Sequence, residues 1–535
     1  TTAWESDLSV SIYAGLSVLE VIGLRAQALG GVQLPPDWAF APWNDAIHGE
    51  ARVMEVAQTL RDAGAPSSVI WTEDWKGGET SAIGYHLLPE WDVDEELYPD
   101  VEGTDAALEA MGFKWMGYFS PFVSPEASSW EESAPFAIRD PETDEPYTFL
   151  SATLYETSTL DLTDPDAWEW AQEKMQSALD KGFDGWMADY GEWLPPDAVL
   201  TDGDALDDHN AWPLLWSAMN AEVLQGTDAT FFARSGWSGA SALAPITWAG
   251  DQRTSFESDD GLPTVVAMGL GLSVSGVALY GHDIAGYQSV GNDPSDKELW
   301  WRWCSLGAFS PIMRTHHGSF EDENWQFDTD EETLTHYAAY ATEHTRLFPY
   351  LRGLAEQAED FGYPIIRHPA MHYDDTDWAA MDAWLLGEAM LVAPVLERGA
   401  TSRQVDLPED VGWHDWWTGE AVSAGTFSAD VSEIPVFVAS GSIVPVLTLV
   451  PDTLATATDE GLTDIDDAAA HRTLRVFGAG GTFTESDNTT YTVEGTPTGA
   501  ATAEQTLTDG SIEVGGVTVT IDGFVERTYT VEVYP

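Results

Sequence analysis

Asp189 and Asp251 are the residues around which a reaction can be built. Asp189 stands in Trp186-Met-Ala-Asp-Tyr-Gly-Glu-Trp-Leu-Pro and Asp251 in Trp248-Ala-Gly-Asp-Gln. Each follows a short apolar run, and each has aromatic and small neighbours able to desolvate a carboxylic acid and raise its pKa. Two carboxyl groups in opposed environments are what glycoside hydrolysis requires: one ionised to attack the anomeric carbon, one protonated to donate to the leaving oxygen. Arg234, at the end of the run between them, is the cation that can hold its partner anionic.

These residues need a scaffold that brings strand ends together. Short apolar runs recur at Phe40 to Trp43, Ser68 to Thr72, Lys114 to Phe119, Gly185 to Ala188, Thr230 to Ala233, Ile246 to Ala249, Gly276 to Tyr280 and Pro311 to Met313. Helical patterns with readable ends lie between several of them: Glu50 to Ala63 closes at Gly64, and Asp164 caps Pro165 to Asp180. Eight strands alternating with helices predict a (β/α)8 TIM barrel, an α/β fold whose sites form at the C-terminal ends of its strands. Those ends carry Asn44 and Asp45, Glu73 and Asp74, Asp189 and Glu192, Arg234, Asp251, His282 and Asp283, and Arg314 and His316. From Glu331 to Leu354 one helix is expected, followed by alternating, turn-punctuated segments that read as β-sandwich material. The predicted division is a lead-in over 1–33, a catalytic barrel over 34–374, a proximal C-terminal β-sandwich over 375–450 and a distal β domain over 451–535.

Composition narrows the classes. Over 535 residues, 91 Asp+Glu face 21 Lys+Arg for a net charge of −70, spread along the whole chain. That excludes nucleic acid as a partner and suggests a surface adapted to salt, a halophilic protein. Val265 to Tyr280, the longest largely apolar run, is short and rich in Gly and Ser, so a buried helix leading into a strand is expected and no membrane partner. No signal peptide opens the chain, and Cys304 is the sole cysteine, so no intrachain disulfide forms; a cytoplasmic location is the reading, with secretion as the alternative. The acidic stretch Asp459 to Asp467 lacks the alternating ligands of a Ca²⁺ loop, His316-His317 lacks the companion spacing of a zinc site, and no Gly-rich phosphate loop appears. No cofactor and no metal are expected.

Five motifs in order, Gly182-Phe-Asp-Gly-Trp-Met-Ala-Asp-Tyr-Gly-Glu-Trp-Leu-Pro, Ala233-Arg-Ser-Gly, Trp248-Ala-Gly-Asp-Gln, His282-Asp-Ile-Ala-Gly and Met313-Arg-Thr-His, resemble glycoside hydrolase family 31. The first, with Asn210-Ala-Trp-Pro after it, looks most like the sulfoquinovosidase branch. The resemblance implies a retaining, exo-acting α-glycosidase with Asp189 as nucleophile and Asp251 as general acid/base. It also implies a sugar pocket lined by Asp74, Arg234, Trp248, Asp283, Arg314 and His316; Trp71, Trp186 and Trp248 are expected to pack the ring's apolar faces, and the strand-end residues Glu73, Glu192 and His282 to contact the substrate as well.

Two departures bear on the substrate. Sulfoquinovosidases recognise the sulfonate with a Gln before the Asp-Trp pair and an Arg and a Trp in the following loop. Here Glu73 precedes the pair, and the loop Trp75 to Pro89 has no Arg. A neutral hexopyranoside, read as an α-glucoside, is therefore expected; a sulfoquinovosidase with Lys76 or His86 as the sulfonate contact, a transglycosylase and a noncatalytic sugar-binding protein are the alternatives. Family members also carry an N-terminal β-sandwich that only Thr1 to Ala39 could replace here. Its absence is expected to reflect processing or truncation, or a second chain or oligomer covering that side of the pocket. Molar salt screens on a scale of about 3 Å, short enough to quieten repulsion between surface carboxylates. The melting temperature should therefore rise from dilute buffer to molar KCl; an unchanged or lower value contradicts the salt-adapted reading.

Overall fold

The computed structural model describes residues 10–535 apart from 82–83, 153, 290 and 292. The first residues of the lead-in, 1–9, lie outside that range; a helix over Val18–Ala28, capped by Ser17, represents the rest of it.

Among the described residues, parallel strands run β1 Trp43–Asp45, β2 Val69–Trp71, β3 Lys114–Phe119, β4 Gly185–Ala188, β5 Thr230–Ala233, β6 Ile246–Trp248, β7 Tyr280–Gly281 with Asp283–Ile284, and β8 Arg314–Thr315. Each pairs with the next in chain order, and β8 returns to β1 at Trp43 and Arg314. β7 is interrupted at His282: its first half pairs with β6 and its second with β8, which closes the barrel. The expected runs locate every strand, with shifts at three. Phe40 belongs to a 3-10 turn over Asp37–Phe40, so β1 starts at Trp43 and contains Asn44 and Asp45. β7 and β8 begin at Tyr280 and Arg314, later than the apolar runs that announce them.

Local chemistry explains the helices. Asp164 accepts a hydrogen bond from the Asp166 N–H at 2.9 Å, Pro165 occupies the first turn, and Ala167, Trp170, Ala171, Met175 and Ala178 form the buried stripe of Pro165–Asp180. The helix Leu262–Val274 is apolar on most faces and leads to β7, as expected for the Val265 to Tyr280 run. The single helix expected from Glu331 to Leu354 is two, Glu331–Arg346 and Phe348–Phe361, because Pro349 cannot continue the hydrogen-bond ladder of the first. No helix among the described residues is long and apolar enough to cross a membrane.

Gly185 opens β4 at φ +134°, and a Cβ there would meet the Thr230 carbonyl oxygen at 1.7 Å. Only glycine permits the close approach of β4 and β5 that brings Asp189 and Arg234 to neighbouring strand ends.

After the barrel, strands between Ile366 and Ala439 form a six-stranded antiparallel sheet, and two four-stranded sheets follow between Ser442 and Tyr534. One of these contains a parallel pair, His471–Phe477 with Arg527–Tyr534. Between the two sheets the Arg472 guanidinium forks onto Glu485 at 2.8 and 3.0 Å, and the Tyr491 hydroxyl donates to the same carboxylate at 2.6 Å. All three side chains are buried. Removing one partner of such a pair strands a buried charge, so Glu485→Ala should cost about 3–5 kcal/mol. Scanning calorimetry should show a transition at markedly lower temperature, and an unchanged midpoint would contradict this role.

Candidate active site

Strand pleating turns alternate residues inward within each strand, and the turns that follow set the direction of the residues beyond it. Successive side chains point to opposite faces, so inward positions recur every second residue. Within the barrel Trp43, Trp71, Phe232 and Trp248 form an aromatic floor, with ring centroids 5.4 Å between Trp43 and Phe232, 5.9 Å between Trp71 and Phe232 and 5.3 Å between Phe232 and Trp248. The Arg314 guanidinium lies over this floor, 4.9 Å from Trp71, 4.6 Å from Phe232 and 5.6 Å from Trp248, and bonds Asp283. Asp283 and Arg314 are buried, and burial pushes the Asp283 carboxyl up to about 6 although Arg314 opposes it. One oxygen of Asp283 and one nitrogen of Arg314 are buried without a hydrogen-bond partner among the described residues, beneath the pocket wall.

Above the floor a narrow pocket is walled by Asp189, Asp251, Glu73, His316, Tyr118 and Tyr287 on its polar side and by Leu87, Leu88, Pro89 and Phe122 elsewhere. A hollow of about 840 Å³ between the helices Pro165–Asp180 and Trp212–Leu224 is larger, but its walls hold no pair of carboxyls beside a cation. In the narrow pocket Asp189 is buried and accepts from the Tyr118 hydroxyl at 2.6 Å and the Tyr190 N–H at 2.9 Å. Arg234 Nη1 lies 3.5 Å from Asp189 and 3.8 Å from Asp251, so the two carboxylates can be no farther apart than those distances combined. That limit takes in the roughly 5 Å spacing of a retaining pair.

The two carboxyls differ in what surrounds them. Burial raises both, but at Asp189 the Arg234 charge and the Tyr118 and Tyr190 donors act against it. Asp251 is pushed up to about 7, by burial first and by the Asp189 charge second. Its side chain is 40% open to the pocket, so the burial effect develops in full only when a ligand displaces water. Asp189 is therefore better supplied than Asp251 to carry a negative charge. Arg234 is itself fixed by Glu192 and by the Tyr190 ring, 3.9 Å away.

Not every expected pocket residue is there. Asp74 is buried and lies outside the pocket wall, accepting from the His48 N–H at 2.7 Å, the Tyr85 hydroxyl at 2.6 Å and the Tyr98 hydroxyl. Trp186 points out of the barrel, its indole N–H donating to Asn220 on the helix Trp212–Leu224 at 2.6 Å. His282 also faces outward, between Trp303 at 2.9 Å and Ser310 at 3.0 Å, and burial drives its pKa down to about 3. Trp71 and Trp248 serve in the floor. Conversely, Tyr118, Tyr287, Asp45 and His317 join the site although the motifs did not single them out. Tyr118 is in register with Met187 across β3 and β4, and the parity that turns Met187 and Asp189 inward also selects Tyr118.

Of the two basic residues in the loop after β2, Lys76 lies within 4.5 Å of the Phe119 ring and 5.6 Å of the Tyr118 ring, and burial lowers its pKa to about 7. His86 is turned toward Gly84, Ser81 and Glu79. Asp45, His316 and His317 bring possible ligand atoms within 4.8 Å of one another. His317 Nδ1 bonds Asp45 at 2.8 Å and its Nε2 lies 3.0 Å from Glu73, while His316 Nδ1 accepts from the Gly318 N–H at 3.2 Å and its Nε2 lies 3.8 Å from Glu73. We assign no ion there.

Residues 32–354 match the glycosyl hydrolases family 31 TIM-barrel domain, and 362–444 match the glycosyl hydrolase family 31 C-terminal domain. The chain belongs to glycoside hydrolase family 31. Among family 31 relatives, the sulfoquinovosidase of Escherichia coli is 33% identical over 445 residues, covering 81% of this chain and 66% of that protein. Alpha-glucosidase 2 of Bacillus thermoamyloliquefaciens is 26% identical over 504 residues, covering 88% and 59%. The solved structure of an E. rectale family 31 sulfoquinovosidase with an aza-sugar inhibitor superposes with a TM-score of 0.75 at 30% identity, covering 79% of this chain and 65% of that one. The chain thus spans just under two thirds of the length of these sulfoquinovosidases.

Asp74 ties the segments that carry His48, Tyr85 and Tyr98 together. Asp74→Ala should speed amide exchange along the hairpin strand Gly84–Leu87, which carries Tyr85, and lower the melting temperature. Exchange unchanged from the parent protein would return Asp74 to a ligand-binding role.

Proposed function

We propose that this chain is a retaining, exo-acting α-glycoside hydrolase for a neutral hexopyranoside, an α-glucosidase adapted to high salt. The observation that carries the reaction is the asymmetry around Arg234: Asp189 is supplied with a cation and two hydrogen-bond donors, and Asp251 with neither donor. Asp189 then attacks the anomeric carbon while Asp251 protonates the departing oxygen. With Asp189 held in the glycosyl-enzyme bond, Asp251 takes a proton from water, which releases the sugar with its configuration retained.

The substrate's charge is argued from the walls. Around the pocket stand Asp45, Glu73, Asp74, Asp189, Glu192, Asp251 and Asp283, against Arg234, Arg314, His317 and the buried Lys76. Three of these are committed, Arg234 to carboxylates, Arg314 to Asp283 and His317 to Asp45 and Glu73, and burial lowers the fourth, Lys76, to about 7 and weakens its hold on a proton. A carboxylate about 4 Å from a sulfonate costs about 4 kcal/mol at an effective dielectric near 20, several hundredfold or more in affinity. Hydrolysis of an α-sulfoquinovoside is the second reading, favoured by the sulfoquinovosidases among the relatives and opposed by this charge balance.

In molar salt, proton NMR of the reaction should show the α-anomer first, and the β-anomer first would exclude Asp189 as nucleophile. Asp189→Ala should lose several orders of magnitude in kcat, with azide restoring turnover, and Asp251→Ala should spare substrates with good leaving groups. Because Asp251 acts as an acid, kcat/KM should fall as pH rises through about 7, and Asp251→Ala should lack that limb. Glu73→Gln should weaken cleavage of the α-glucoside. A higher kcat/KM for the α-sulfoquinovoside than for the α-glucoside would overturn the neutral-sugar reading.

A further inference from the structure

A buried histidine is gripped between two carboxyl groups beside the pocket. His317 follows β8, Asp45 ends β1, and Glu73 follows β2, so three strand ends converge on one imidazole. Nδ1 lies 2.8 Å from Asp45 Oδ2, and Nε2 lies 3.0 Å from Glu73 Oε1, an ion-pair contact and not an aligned hydrogen bond. The other Asp45 oxygen accepts from the Thr315 hydroxyl at 2.8 Å. Side-chain exposure is 7% for His317, 5% for Asp45 and 8% for Glu73, so little water reaches the contacts between them.

Ionised carboxylates only accept hydrogen bonds, so an imidazole facing two of them needs a proton on each nitrogen. Burial opposes that cation, but Glu73 and Asp45 overcome the penalty and bring His317 up to about 10. In return His317 opposes the burial that raises Glu73, while Asp74 and Asp45 add to the rise. His316 stands 3.8 Å from Glu73 and is kept neutral by burial, His317 and Arg314. Asp251 and Asp283 also feel the Glu73 charge, and Glu321 feels that of His317. The same Glu73 forms part of the pocket wall.

We propose that His317, backed by Asp45, is a positioning residue that holds Glu73 as an anionic acceptor facing a hydroxyl of a neutral glycosyl unit. The inference rests on the neutral-sugar reading above and deepens it by naming what makes Glu73 selective. The imidazolium is spent on its two carboxylates, so the triad keeps one net negative charge. It accepts from hydroxyl donors and repels an anionic substituent. Arg52, ion-paired with Asp328 and Glu55, is the other cation felt by Asp45.

Two measurements on the full chain test this. In protein labelled with ¹⁵N in its histidine rings, with His317→Gln assigning the signal, His317 should carry protons on both nitrogens at pH 8. A neutral ring at that pH, or a stoichiometric metal found by elemental analysis, overturns the proposal. In kinetics on an α-glucoside, His317→Gln should raise KM about tenfold or more with kcat within about threefold, the pattern of lost uniform binding. The acidic limb of kcat/KM should move to higher pH, because Glu73 without its cation retains its proton longer. In the Glu73→Gln background the same substitution should add less than about twofold and move no limb. Fully additive losses, or an unmoved limb, would make His317 merely structural and overturn the proposal. If His317→Gln fails to fold, Asp45→Asn keeps the shape of the triad, removes one charge and gives the same readouts. Should the parent protein cleave no α-glycoside, the proposed function fails, and the NMR result still decides this one.

Discussion

Two carboxyl groups that share a pocket cannot both ionise cheaply, and the chemistry of this site depends on how Arg234 resolves that conflict. The guanidinium reaches both carboxyls but lies closer to Asp189, which also receives the Tyr118 hydroxyl and the Tyr190 amide. Asp251 receives the repulsion of Asp189 in place of such donors. One group is thereby favoured as anion and the other as acid, the separation on which double displacement rests. Arg234 could not hold this post alone. Glu192 and the Tyr190 ring fix its plane, and Gly185 lets its strand approach that of Asp189.

The frame that delivers these groups was largely legible in the sequence. Apolar runs marked each barrel strand, and Pro, Asp and Gly marked the helix ends between them. Position along a strand, however, is not direction. His282 and Asp283 adjoin, yet only Asp283 faces the barrel interior. Glu73 and Asp74 adjoin, yet Glu73 walls the pocket while Asp74 accepts from His48, Tyr85 and Tyr98. Trp186 lies three residues from Asp189, an odd step, and packs outward against Asn220. The period of two within the strands could have been applied to the sequence itself, and it would have turned Trp186 outward and selected Tyr118; Asp74 in the 3-10 turn Asp74–Lys76, and Asp251 three residues beyond Trp248, lie outside the strands and do not follow it. The union of Asp45, Glu73 and His317 was less accessible. The expected barrel already sets β8 beside β1, but not the register and turn geometry that bring His317 between Asp45 and Glu73.

Charge is managed differently at the surface and in the pocket. The formal excess of −70 is spread along the chain, where salt can screen it. Inside, screening fails and each carboxylate needs its own partner: Arg314 for Asp283, Arg234 for Asp189, His317 for Asp45 and Glu73, Arg472 for Glu485. This economy of cations bears directly on the substrate, since little positive charge remains uncommitted to receive an anionic one.

The most direct test of the central claim, that Arg234 and its neighbours set Asp189 apart as the attacking anion, is chemical trapping. A 5-fluoro-α-glucosyl fluoride slows both displacement steps while its leaving group keeps the first one accessible, so a glycosyl-enzyme accumulates. Peptide mass spectrometry of the trapped protein should find one glycosyl unit, on Asp189. A label on Asp251 or on another residue would contradict the account, as would turnover of that reagent with inversion and no covalent species.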